Sequence, residues 1–64
     1  MTYFVVETEN GWDIRKKSAK GDSFSNFPSK TAAIAAAKGL IGQNEGHICV
    51  RAYSGFEEWI SVNC

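Results

Sequence analysis

The chain opens on an apolar segment. "TYFVVETE", residues 2–9, is rich in aromatic and β-branched side chains and predicts a strand. "ENG" breaks it, and "WDIRKK" predicts a second strand joined as a hairpin. A two-residue Asn10-Gly11 turn sets Ile14 against Glu7 and Arg15 against Val6, mixing apolar and charged positions on each face. A three-residue loop, Glu9-Asn10-Gly11, pairs Thr8 with Trp12, Val6 with Ile14 and Phe4 with Lys16, and gathers Phe4, Val6, Trp12 and Ile14 on one face. A type I turn with glycine at a bulge fits that loop, and register follows the buried face, so the three-residue loop is expected. Its cost is Glu7 facing Asp13.

"SAKGDS" reads as a turn, and "SFSNF", residues 23–27, is a candidate short third strand. Ser29 stands where a helix N-cap is needed, and "KTAAIAAAKGLIGQ" follows as a helix rich in alanine, the best helix former. Ala33, Ile34, Ala37, Leu40 and Ile41 form one apolar stripe, and the stop is expected at Asn44 or Gly46. "HICVRAY" and "FEEWISV" flank Ser54-Gly55 and predict a second hairpin. A two-residue turn there pairs Arg51 with Glu58, Cys49 with Ile60 and Val50 with Trp59.

These elements predict an α+β fold, strand–strand–helix–strand–strand, as a single domain over 1–64. The expected architecture is a single antiparallel β-sheet of two hairpins packed on one α-helix. The helix-facing set is then Phe4, Val6, Trp12, Ile14, Ile48, Val50 and Trp59. One helix covers one face of a sheet, so the other face is left open. On this register it carries Tyr3, Val5, Tyr53, Phe56, Ile60 and Val62, an apolar strip suited to a protein partner or to self-association as a homodimer. Uncovered strand edges offer strand addition as a second route.

Composition sharpens this picture in three ways. At 64 residues the chain buries only about 60% of its unfolded surface, so a second subunit would help stabilise it. Lys and Arg number seven and Asp and Glu seven, so affinity for a polyanion must come from a local cluster. No stretch approaches the roughly 18 apolar residues of a membrane span, and "YFVV" is too short for a leader's apolar segment. With no secretory signal, Cys49 and Cys64 are expected to be reduced thiols in a cytoplasmic protein.

Four of the seven basic residues, Arg15, Lys16, Lys17 and Lys20, lie within six positions. Strand alternation splits them: Arg15 and Lys17 go to the open face, while Lys16 goes to the other and extends past Phe4. Arg15, Lys17, Lys20 and Arg51, set among aromatics, are the candidate nucleic-acid-binding residues, suited to stacking plus phosphate contact with a single strand. Glu7, Asp13 and Glu58 are expected on the same face, which favours an ordinary mixed-charge surface.

Other chemistry finds little support. His47 and Cys49, with Cys64 beside Glu45, are one ligand short of a zinc set and lack its spacing, so no cofactor or metal is expected. One histidine, no nucleophile motif and adjacent Glu57 and Glu58 pointing to opposite faces leave nothing to assemble as an enzyme.

Two family resemblances add to this. Val5, Gly11, Trp12, Lys16, Ser29, Ala33, Ala36, Ala37, Gly46, Val50 and Gly55 follow a pattern that resembles a family of short bacterial and phage proteins catalogued as a domain of unknown function. That resemblance covers nearly the whole chain and implies the same strand–strand–helix–strand–strand order with no known activity. "GWDIRKK" with "SFSNFPSKTAAIAAA" is similar to the sheet-type DNA-binding modules at the start of phage integrases, which implies DNA contact through the sheet. The leading expectation is a non-enzymatic protein-interaction module. The alternatives are a nucleic-acid-binding module and a phage-encoded modulator of a host enzyme, the last resting on resemblance alone.

Overall fold

The computed structural model describes the backbone of residues 1–18 and 21–63, and the side chains of 1–16 and 25–63. Five strands and one helix follow in the order β1 (Thr2–Thr8), β2 (Gly11–Ser18), β3 (Gly21–Phe27), α1 (Lys30–Ile41), β4 (Gly46–Arg51) and β5 (Glu57–Val62). They form an α+β fold of two layers, one five-stranded sheet in the order β3-β2-β1-β4-β5 and a helix packed across β1 to β4.

The sheet is mixed, which corrects the antiparallel expectation. β1 and β4 run parallel side by side at its centre, and the other three pairings are antiparallel. β3 is a full strand rather than a short one, so the chain leaves from one edge. A helix of 12 residues, about 18 Å long, carries it back over the sheet to the far side of β1. The His47 amide donates to the Met1 carbonyl at 2.9 Å where the parallel pair begins.

Both hairpin registers are displaced by one residue from the sequence reading. In the first, Glu9 and Asn10 alone make the turn, so Thr8 pairs with Gly11 and Val5 with Ile14. Asn10 N–H donates to Thr8 Oγ1, and the Thr8 hydroxyl donates to the Gly11 carbonyl, which closes the turn. Gly11 serves close approach: a Cβ there would collide with the Phe27 carbonyl oxygen of β3, and its φ is 122°. In the second hairpin the loop has three residues, Tyr53-Ser54-Gly55. It is closed by Ala52 N–H to Phe56 O at 2.9 Å and Gly55 N–H to Ala52 O at 3.0 Å, with Gly55 at φ 92°. The glycine-bulge loop expected of the first hairpin thus belongs to the second.

A one-residue slip moves a whole strand to the other face. Tyr3 and Val5, expected on the open face, are buried beneath the helix at 6% and 0% exposure. Ile60 and Val62, also expected there, pack against the same core. Phe4, Val6 and Trp59, expected under the helix, point away from it instead. Val5 sits between Ile14 and Val50, three β-branched residues in a row across β2, β1 and β4. Because "YFVV" is apolar on both faces, its own alternation cannot select between these registers.

The helix follows its sequence signals at its start and ends short of the expected stop at Asn44 or Gly46. Ser29 Oγ accepts from Ala32 N–H at 3.1 Å as N-cap. Ala33, Ala37 and Ile41, one row at i, i+4, i+8, are fully buried, and the two alanines let the helix lie close to the sheet. The stripe is narrower than expected, since Leu40 is 55% exposed. The helix ends at Ile41 with Gly42 as C-cap, and Asn44 closes the end from outside by donating its amide and Nδ2 to the Ile41 carbonyl.

Candidate interaction face

The face that α1 leaves uncovered is organised in rows across the strands. Register sets Arg15, Phe4, Cys49 and Trp59 in one row over β2, β1, β4 and β5. It sets Asn26, Asp13, Val6, Arg51 and Glu57 in the next, over all five strands. The first row carries aromatic bulk and the second carries alternating charge.

Phe4 and Trp59 meet edge to face, with ring centroids 6.4 Å apart and planes at 72°. Cys49, which stands between them in the row, is a free cysteine and fully buried. The Arg51 guanidinium lies 5.3 Å from the Phe4 ring centroid, a cation–π contact. Glu57 joins the rows: Oε2 takes Arg51 Nε at 3.1 Å, and Oε1 accepts from the Trp59 indole N–H at 3.2 Å. Trp59 is therefore 57% exposed yet held on two sides. Across the face, Asn26 Nδ2 donates to Asp13 Oδ1 at 2.7 Å, and Arg15 Nη2 lies 3.9 Å from Asp13 Oδ2.

The residues singled out in the sequence fall in three places. Arg15 and Arg51 do share the open face, and Lys17 occupies a strand position of the same parity, its side chain outside the described set; Lys20 also lies outside the described residues. Tyr3, Val5, Ile60 and Val62 belong to the helix side. Tyr53 and Phe56 are exposed, at 65% and 56%, but stand in or beside the β4–β5 loop. There Phe56 meets Lys30 Nζ at 6.0 Å and Tyr53 N–H donates to Glu7 Oε1 at 2.9 Å. The Tyr53 phenol is held above its ordinary value of 10.0, by desolvation first and then by the Glu9 and Glu7 charges. Lys16 extends over Tyr3 at 5.6 Å, where the sequence reading set Phe4.

The slipped registers also reassign the acids. Glu58, expected to pair with Arg51, crosses to the helix side and meets Lys30 Nζ at 3.6 Å, while its neighbour Glu57 takes Arg51. Glu57 and Glu58 thus point to opposite faces. His47 is exposed and Cys49 buried, and among the described residues no three His, Cys, Asp or Glu side chains are grouped to hold a metal ion. No described helix is long and apolar enough to cross a membrane.

No protein-family model, curated protein or solved structure matches the chain. The functional reading therefore rests on the face itself. Phe4, Val6, Trp59 and Glu57 are its organising residues, and the sequence reading missed all four. The signal that would have found them is the alternative parity of "YFVV" and of "FEEWISV", with Gly55 read as the third loop residue.

Proposed function

We propose that this chain is a small, non-enzymatic protein-interaction module that works through its uncovered sheet face. The observation that carries the reading is Trp59, largely exposed but fixed in orientation by Glu57 and Phe4. Tryptophan and arginine are the side chains most enriched at binding hot spots, and a pre-positioned indole loses little freedom on binding. Arg51 flanks it, and Val6 and Phe4 supply apolar area between the charges. The described arginines of this face each have a carboxylate within 4.0 Å, which suits a partner of mixed charge better than a polyanion.

A photo-crosslinking side chain at Ser61, exposed on this face, and another at Ala35, exposed on the outer side of α1, test the reading in cells. Specific protein adducts from position 61 and not from 35 are expected. Equal labelling from both positions, or none from 61, contradicts the proposal.

Single-stranded nucleic acid is the second reading, favoured by the exposed indole near Arg51, with Arg15 further along the same face, and by the integrase-like pattern. Fluorescence anisotropy of labelled oligonucleotides at two salt concentrations separates it. Binding that falls steeply with salt and is lost in Trp59→Ala supports stacking plus phosphate contact.

A further inference from the structure

The face is complementary to itself. In the row Asn26–Asp13–Val6–Arg51–Glu57, Val6 lies on the central strand with an acid one strand to one side and a base one strand to the other. A two-fold axis lying in the face along β1 exchanges the two sides. It brings Asp13 opposite Arg51 of the second copy, Asn26 opposite Glu57, and Val6 and Phe4 opposite their own equivalents. The Asp13–Arg51 contact, made twice by the symmetry, is then of opposite sign, Asn26 sets a neutral amide opposite Glu57, and the centre is apolar.

We infer that the occupant of the open face is a second copy of this chain, packed sheet to sheet about that axis. This rests on the reading of the face as an interaction surface. Two sheets related in this way pack with strands nearly aligned, the ordinary geometry of a β-sandwich about 10 Å thick. The molecule measures 30 × 25 Å along its two longer axes, so the face offers several hundred Å², on the scale of the roughly 800 Å² that each partner buries in a standard interface. The chain has use for that burial. Its core under the helix leans on the small side chains of Ala33 and Ala37, while Trp59, on the open face, is 57% exposed. An isologous dimer covers Trp59, Phe4 and Val6 in one step.

Sedimentation equilibrium over a range of concentrations, with four proteins, tests the inference. Wild type is expected to dimerise. Asp13→Arg faces Arg51 of the second copy and is expected to weaken dimerisation by roughly tenfold or more, as is Arg51→Asp facing Asp13. The double exchange, Asp13→Arg with Arg51→Asp, restores opposite signs and is expected to recover most of the loss, with circular dichroism confirming that each variant folds. A wild type that stays monomeric at the highest concentration, or a dimer indifferent to all three variants, overturns the inference. A monomeric chain that still yields adducts with a different protein from position 61 overturns the second copy as occupant and leaves the interaction module standing. A monomeric chain with no such adducts overturns both.

Discussion

Glu57 holds Trp59 by its indole N–H through one carboxylate oxygen while the other takes Arg51, so a single acid orients both residues that dominate the open face. Glu57→Ala is expected to free the indole without unfolding the chain. Both contacts are exposed, so the stability change is expected to stay below about 1 kcal/mol. Indole N–H exchange measured by NMR should quicken at Trp59 and stay unchanged at Trp12. Unchanged exchange at Trp59 would mean that Phe4 alone fixes the ring.

The register of β1 makes neighbouring valines unequal. Val5 is fully buried between Ile14 and Val50, whereas Val6 faces away from the helix. Val5→Ala is expected to cost about 2 kcal/mol of unfolding free energy, and Val6→Ala less than about 1 in dilute, monomeric protein. Denaturant melts of the two variants decide it. A larger loss at Val6 would restore the three-residue loop at Glu9-Asn10-Gly11.

Two glycines carry opposite expectations. Gly11 combines a φ of 122° with a Cβ position blocked by the Phe27 carbonyl, so Gly11→Ala is expected to destabilise by more than about 1 kcal/mol. Gly39 lies within α1 with open space at its Cβ, so Gly39→Ala is expected to stabilise by about 0.5–1 kcal/mol. Thermal melts of the pair should shift in opposite directions.

Ser29 supplies the helix with its first side-chain hydrogen bond, to Ala32 N–H. Ser29→Ala is expected to cost about 1 kcal/mol, and Ser29→Asp to retain most of the stability, both read from denaturant midpoints. Equal loss in the two variants would argue that the cap is not what Ser29 contributes.

The helix and its start were legible because their signals are local: a capping serine, an alanine run and a four-residue spacing of buried positions. The existence of both hairpins was legible for the same reason. Their registers were not, since "YFVV" is apolar on both faces and "FEEWISV" offers its tryptophan and its isoleucine on opposite ones. Choosing between parities requires knowing what lies across the sheet, and Val5 is fixed by Val50 on a strand 45 residues away. The parallel pairing of β1 with β4 is non-local in the same sense. Because the candidate site is a sheet face, an error of one residue exchanged Tyr3 and Val5 for Phe4 and Val6. Arg15 and Arg51 were placed correctly since their own parities did not change.

That a second copy seats on the face marked by Trp59 is tested most directly by acrylamide quenching of Trp59 fluorescence. A Trp12→Phe background isolates the signal, and protein concentration is raised from dilute to the highest attainable. An accessible indole in dilute protein that becomes shielded as concentration rises is expected, with the shielding lost in Asp13→Arg. An indole quenched equally at every concentration, and equally in the variant, would contradict a second copy seated on this face.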